Sequence, residues 1–191
     1  MLKKYFLAAL LVLFSTGTSM NPAWGHVTPN VRLHTIREVV RQLLPTGKLF
    51  VKEVTLTPQQ KARLQALDNW DTRTDHFKFY ISRDENNRLQ RVVTTMIEFT
   101  PHGFLVMAVA LDANGKIQEA MLTDIQSEPL TWVDPVLKSA FIQEFQGKDS
   151  SMSLTLEPKW IKSFTGISQS FALSIANSVK KSAQLFDVVF K

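Results

Sequence analysis

Two short segments of the sequence combine residue types that could bind an anion or take part in chemistry. In residues 163–170, hydroxyl side chains and a glycine come directly before a long helical pattern. The first N–H groups of a helix have no acceptor within the helix, so such a segment can bind an anion or form an ordinary helix cap. The second segment, residues 127–132, places Glu128, Pro129 and Leu130 directly after a predicted strand.

The patterns of common catalytic and metal sites are absent from the sequence. There is no cysteine, which excludes disulfides, thiolate-bound iron–sulfur clusters and the attachment motif of c-type haem. No pair of the four histidines has the i, i+4 spacing of a helical zinc site, and neither a nucleophile elbow nor a P-loop occurs. We therefore predict no metal site and assign the histidines structural or incidental roles.

Residues 1–25 have the pattern of a secretory signal peptide. Two lysines precede residues 5–14, an uncharged apolar run that is too short to span a bilayer. Ala23 and Gly25 place small residues at the two positions that a signal peptidase reads. The pattern predicts cleavage after Gly25, a single domain over residues 26–191, and a location in the periplasm.

The charge of the mature chain argues against nucleic-acid binding. The leader carries two lysines and no acidic residue, so its removal lowers the net charge from +5 to +3. The remaining basic residues are scattered, whereas nucleic-acid-binding domains usually carry a dense basic stripe. We therefore predict no nucleic-acid partner.

The hydrophobic pattern predicts an α+β fold in which helices pack against a mostly antiparallel sheet. Asn114-Gly115 between two predicted strands indicates a tight hairpin turn, because these residues tolerate the positive φ angles that such a turn requires. Predicted helices cover residues 31–44, 57–67, 134–147 and 168–185, and predicted strands cover residues 49–56, 77–81, 91–99, 103–111 and 116–125.

Four sequence blocks in a fixed order resemble the FMN-binding domain of exported flavin carriers. This family includes the periplasmic flavin subunits of sodium-pumping quinone reductases and of related electron-transport complexes. The resemblance covers about residues 40–185. The blocks are the hairpin with Asp112-Ala113-Asn114-Gly115 at its turn, Glu128-Pro129, a segment from Phe141 to a closing Gly147, and Thr165-Gly166-Ile167-Ser168-Gln169-Ser170 before the last helix.

The resemblance implies an electron carrier that binds FMN and performs no substrate chemistry of its own. Its isoalloxazine ring is expected near Glu128, Pro129 and Leu130. The expected partner is a redox protein, such as a membrane respiratory complex.

The flavin phosphate is expected at Thr165, Gly166, Ile167 and Ser168. In the family, a flavin transferase can join FMN through its phosphate to a threonine hydroxyl, and Ser168 occupies that position here, which favours covalent attachment. Ile167 stands where the family has alanine, and Lys162 stands where it often has aspartate. Noncovalent binding therefore stays open, with Lys162 either neutralising the phosphate or facing solvent.

Two alternatives come from other functional classes. The same fold without a cofactor would be a binding or assembly module, as the altered attachment motif suggests. A flavin-dependent reductase would need a catalytic acid, for which His102 and Glu128 are the candidates.

The signal-peptide pattern leads to the first prediction. Protein recovered from outside the cytoplasm should give an N-terminal sequence that begins at His26. Recovery of the chain from the membrane fraction with Met1 still in place would contradict this.

Overall fold

A six-stranded sheet, antiparallel throughout, organises the chain in the computed structural model, which describes residues 28, 30–70 and 74–191. The strands are β1 (Val31–Arg32), β2 (Lys48–Thr55), β3 (His76–Arg83), β4 (Leu89–Phe99), β5 (Phe104–Asp112) and β6 (Ile117–Gln126). Their order is β1-β6-β5-β4-β3-β2, so β2 to β6 form a meander and β1 pairs with β6 at the edge. Together with the helices, this sheet confirms the predicted α+β fold.

Five α-helices accompany the sheet within the described part of the chain. They are α1 (Ile36–Leu43), α2 (Pro58–Gln65), α3 (Leu130–Leu137), α4 (Pro158–Ser163) and α5 (Gly166–Phe190), with a 3₁₀ turn at Ile142–Phe145. None of these described helices combines the length and the apolarity that a membrane span needs. The predicted signal peptide, residues 1–25, lies outside the described residues.

Helices α1 and α2 begin at capping boxes that the sequence encodes directly. Thr35 accepts the N–H of Glu38 and Thr57 accepts the N–H of Gln60, while each of the two longer side chains accepts the N–H of its cap residue. These reciprocal bonds satisfy donors that a helix start otherwise leaves unpaired.

Helix α5 crosses one face of the sheet above β4 and β5 and covers the main core. Phe171 and Ile175 recur at helical spacing on its buried side. Helix α1 covers part of the opposite face, where Val39 packs in a second cluster with Ala108 and Ala110 of β5. Strand β5 is therefore covered on both faces, which explains why its sequence is a nearly continuous apolar run.

Two predicted helix starts are wrong. The first helix begins at Ile36 rather than at residue 31, because Val31–Arg32 pairs with β6 and Thr35 forms the cap. Helix α3 begins at Leu130 rather than at residue 134, since Pro129 takes the extended conformation of a cap residue.

The predicted helix over residues 134–147 is two separate elements. Helix α3 ends at Leu137, and the chain then forms the 3₁₀ turn. Asp134, whose type and position before Pro135 predict a cap residue, instead lies inside α3, where its carboxylate accepts a bond from Lys138 at 2.6 Å. The last helix starts at Gly166, two residues before its predicted start, and α4 was not predicted at all.

The bond from the Asp112 N–H to the Lys116 carbonyl at 2.9 Å closes a three-residue loop, residues 113–115, rather than the two-residue turn that Asn114-Gly115 predicts. Gly115 has a φ of +81°, while Asn114 has no positive φ. The Asp112 side chain accepts the N–H groups of Asn114 and Lys116, each at 2.9 Å. This pattern matches a hairpin whose glycine forms a bulge in the left-handed region.

Strands β3 and β4 separate before the end of the sheet. Their ladder stops at Phe79 opposite Thr94. Beyond this pair, β3 continues to His76 beside β2, and β4 continues to Phe99 beside β5. The sheet therefore has a gap between two of its central strands.

The β5–β6 turn gives a test that separates backbone strain from packing. Gly115 and Gly147 have nearly equal φ angles of +81° and +79°. A Cβ at Gly115 would lie 2.9 Å from the Phe186 ring, whereas a Cβ at Gly147 would meet nothing within 4 Å. Gly147→Ala should lower the free energy of unfolding by about 1–2 kcal/mol through strain alone. Gly115→Ala should cost about 1–3 kcal/mol more, because α5 has to shift.

Urea denaturation of both variants measures this difference. Equal losses of unfolding free energy in Gly115→Ala and Gly147→Ala would contradict the packing of Phe186 against the turn.

Candidate functional site

The start of α5 is a helix N-terminus without a side-chain cap. Thr165 is the N-cap residue and has extended φ and ψ angles of −69° and 164°, but its hydroxyl accepts no N–H from the helix. Within the described chain, the N–H groups of Gly166, Ile167 and Ser168 have no acceptor. Gly166 and Ile167 are exposed, so two of these donors at the positive end of a 25-residue helix are available to an external anion, whereas Ser168 is buried.

Helix α4 holds this start in place through aromatic packing. The Phe164 ring is buried and stacks on Trp160 with a centroid distance of 5.3 Å, and it meets Phe141 edge-on at 5.8 Å. The Gln169 amide donates to the carbonyls of Ile161 and Phe164 at 2.9 and 3.0 Å. The end of α4 and the first turn of α5 are thus fixed to each other.

The Ser168 hydroxyl joins the start of α5 to α3. Its Oγ donates to the Trp132 carbonyl at 2.9 Å and accepts from the Thr165 hydroxyl at 3.2 Å. Ser168 is only 1% exposed, whereas Ile167 is 38% exposed and both Thr165 and Gly166 are exposed. The hydroxyl that the resemblance assigns to flavin attachment is therefore turned into the protein.

Glu128 is a fully buried carboxylate at the end of β6. Ser127 before it has a φ of +57°, which turns the chain out of the strand. The Glu128 side chain is 0% exposed, and it accepts the His102 N–H at 2.9 Å. Its other oxygen lies 3.2 Å from Nδ1 of His102. Glu128 thereby fixes the loop between β4 and β5 against the end of β6.

The hydrogen bonds to Glu128 outweigh the effect of its burial. Burial raises the pKa of Glu128, but bonds from the Thr100 hydroxyl, the His102 N–H and the His102 ring lower it by more. The net pKa lies below its ordinary value of 4.5, so Glu128 is ionised at neutral pH. With Nδ1 donating to the carboxylate, the second nitrogen of the His102 ring is an acceptor in the neutral tautomer.

Gly103 is required at the base of the same loop. A Cβ on Gly103 would lie 1.8 Å from the Gln126 carbonyl oxygen. The start of β5 therefore approaches the end of β6 more closely than any side chain permits, which brings the loop of His102 within reach of Glu128.

Trp132 connects the two candidate segments. Its carbonyl accepts the Ser168 bond, and its ring lies 5.8 Å from the His102 ring and 6.4 Å from the Phe171 ring, centroid to centroid. Three segments that are far apart in the sequence, the β4–β5 loop, α3 and the start of α5, thus meet in one place. Trp132 belongs to the segment 127–132 that its composition singled out, but nothing in its type or spacing predicts that its carbonyl holds Ser168.

The other predicted site residues have mainly structural positions. Pro129 is the N-cap of α3, and Leu130 begins that helix and packs, partly buried, against the main core. Lys162 is exposed in the last turn of α4, close in sequence to the start of α5. Of the predicted residues, Thr165, Gly166 and Ile167 are exposed at the start of α5, whereas Glu128 and Ser168 are buried.

The described residues contain no group of three or more histidine, cysteine, aspartate or glutamate side chains that could hold a metal ion. No protein-family model matches the chain, and no curated protein matches it.

The buried carboxylate predicts a defined pH dependence of stability. Because the folded-state pKa of Glu128 is below the unfolded one, its contribution is fully present above about pH 4.5 and is lost as the pH falls through the folded-state value. Glu128→Gln should lower the free energy of unfolding at pH 7 by about 1–3 kcal/mol, because it weakens the bonds to a buried charged acceptor. The variant should also lose less stability than the parent between about pH 5 and pH 3.

Denaturation at a series of pH values checks both parts. Glu119→Gln, which changes an exposed carboxylate of β6, is the matched control and should leave the pH profile unchanged. An identical acid response of parent and Glu128→Gln would show that Glu128 does not supply this dependence.

Proposed function

We propose that this chain is an exported electron carrier that binds FMN, with the flavin phosphate at the start of α5. The observation that carries the proposal is the contact between Ser168 and the Trp132 carbonyl at 2.9 Å. It brings the uncapped helix start and the Glu128 segment together, and these are two of the four sequence blocks on which the resemblance rests.

The start of α5 fits the chemistry of a phosphate. A phosphate monoester carries about −1.5 to −2 charges at neutral pH, so it needs several donors and a positive potential. The exposed N–H groups of Gly166 and Ile167 and the helix dipole supply both. Gly166 and Ile167 are exposed, and an added Cβ at Gly166 would meet nothing within 4 Å, so there is space around this helix start.

The neighbouring residues fit the ring of a flavin. Trp132 is partly exposed, its ring lies beside that of His102, and His102 has a side chain that is 61% exposed. FMN would supply the electron transfer when bound, while the protein holds the ring and adjusts its potential. Ionised Glu128 would contribute by placing a fixed negative charge behind His102.

The contacts of Ser168 bear on how the phosphate would be held. In the observed conformation its hydroxyl is bonded to the Trp132 carbonyl and buried, which favours noncovalent binding by the helix N–H groups. Covalent attachment would require the hydroxyl to leave this bond and turn outward. We therefore expect FMN to be bound noncovalently, and the experiment below distinguishes the two modes.

The His102–Glu128 pair favours one second candidate, a flavin-dependent reductase. A histidine whose ring is oriented by a buried carboxylate is a common arrangement for a proton donor. If His102→Gln binds FMN normally but no longer transfers electrons from reduced FMN to a small acceptor, the reductase is the better description. If His102→Gln still transfers electrons from reduced FMN to a protein acceptor as the parent does, the electron carrier is the better description.

The flavin proposal is tested with Ser168→Ala, expressed with a flavin transferase and ample FMN. The purified parent should be yellow. If binding is noncovalent, its mass is that of the chain alone, and Ser168→Ala should weaken FMN binding by about 1–2 kcal/mol through lost order at the helix start. If attachment is covalent, Ser168→Ala loses the added mass and the flavin fluorescence that persists in denaturing gels.

Ser170→Ala is the matched control. Its hydroxyl lies in the same helix turn and bonds to the Gly166 carbonyl at 3.3 Å, so the variant loses a similar bond without changing the proposed site. A colourless parent under these conditions would overturn the flavin proposal and support a binding or assembly module.

A further inference from the structure

A cavity of about 410 Å³ opens where β3 and β4 separate. Phe77 and Lys78 line it from β3, and Met96 and Ile97 line it from β4. Trp70, which follows α2, forms a further wall. The cavity is therefore a consequence of the sheet topology. At this end β3 pairs only with β2, and β4 pairs only with β5.

Helix α5 closes one side of the gap with polar contacts. The buried Ser178 hydroxyl donates to the Met96 carbonyl at 3.2 Å, at a point of β4 that β3 no longer accompanies. Asn177 and Lys181 donate to the two oxygens of Glu98, each at 2.8 Å. These bonds hold β4 in place without β3, so the gap is a supported feature of the fold.

The walls of the cavity are largely apolar and aromatic. Phe77 is buried, and its ring lies 6.3 Å from that of Trp70 at an angle of 50°. Ile97 is 50% exposed and forms part of the opposite wall. Such walls suit the faces of a flat ring system better than a flexible polar ligand.

The charges that line the cavity are positive. Lys78 and Lys181 line it, whereas their acidic partners Glu53 and Glu98 do not. Lys181 is held in a nearly buried ion pair, with side-chain exposures of 12% for Lys181 and 13% for its partner Glu98. Lys78 is 47% exposed and pairs with Glu53 at 2.7 Å, so its amine can also reach a ligand at the cavity mouth.

We propose that this cavity binds a small aromatic anion. Its ring system lies between Trp70, Phe77 and Ile97, and its single negative group lies at Lys78. The volume is within the range of about 300–1,000 Å³ that small-molecule sites occupy. Lys181 follows Ser168 by thirteen residues of α5, or about 20 Å along the helix, so this site is separate from the proposed phosphate site.

Two probes with the same aromatic body test the role of the charge. The probe 8-anilinonaphthalene-1-sulfonate carries a sulfonate, and N-phenyl-1-naphthylamine does not. The sulfonate should bind the folded chain at one site and increase in fluorescence. In amide NMR spectra it should shift residues 74–78 and 95–99 and leave residues 165–168 unshifted.

Matched variants test each wall. Lys78→Gln should raise the Kd of the sulfonate about fivefold, the effect of losing one partly exposed ion pair, and leave the Kd of the neutral probe unchanged. Lys48→Gln, an exposed lysine of β2 outside the cavity, should change neither. Ile97→Ala should weaken both probes, while Leu49→Ala, a leucine of similar exposure on β2, should weaken neither.

Three results would overturn the proposal. These are equal effects of Lys78→Gln and Lys48→Gln, amide shifts that leave residues 74–78 and 95–99 unchanged, and sulfonate fluorescence that appears only where thermal melts show partial unfolding. Ser168→Ala should not change sulfonate binding. The cavity proposal and the flavin proposal can therefore fail independently of each other.

Discussion

The apolar face of the sheet has to be covered, and α5 is the element that covers it. Residues such as Phe171 and Ile175 bury this face along most of the 25-residue helix. The same helix carries the uncapped start beside Trp132, closes the gap beside β4 with Ser178, and sets Phe186 against the β5–β6 turn. One packing requirement therefore positions three features, and a shift of α5 along its axis would disturb all of them together.

Two buried polar groups fix the loops around the start of α5. Removing Glu128 and Ser168 from water costs free energy that only satisfied hydrogen bonds offset. Glu128 obtains these bonds from the loop of His102, and Ser168 obtains its bond from α3. Any other arrangement would leave one of these buried groups without its hydrogen bonds, which is costly. The two side chains therefore select one geometry for the β4–β5 loop, the connection from β6 to α3 and the start of α5. Such rigidity suits a site that holds a flat cofactor in a constant orientation.

The sequence predicts the strands well and the connections less well. The five long strands lie within a few residues of their predicted bounds, because alternation and the apolar run of β5 reflect burial directly. Asp134-Pro135 has the composition of a helix start, but the conformation of Pro129 starts α3 earlier. A strand has the same period whether or not it is paired, so neither the separation of β3 and β4 nor the cavity could be predicted. The burial of Ser168 depends on Trp132, thirty-six residues away, and local spacing carries no signal for it.

The order of the elements along the chain has a consequence for biogenesis. Helix α5 follows all six strands, so a nascent chain that has exposed β2 to β6 still lacks the cover of its main apolar face. A sheet without α5 leaves its main apolar face uncovered, so native strand pairing becomes stable only once α5 is present.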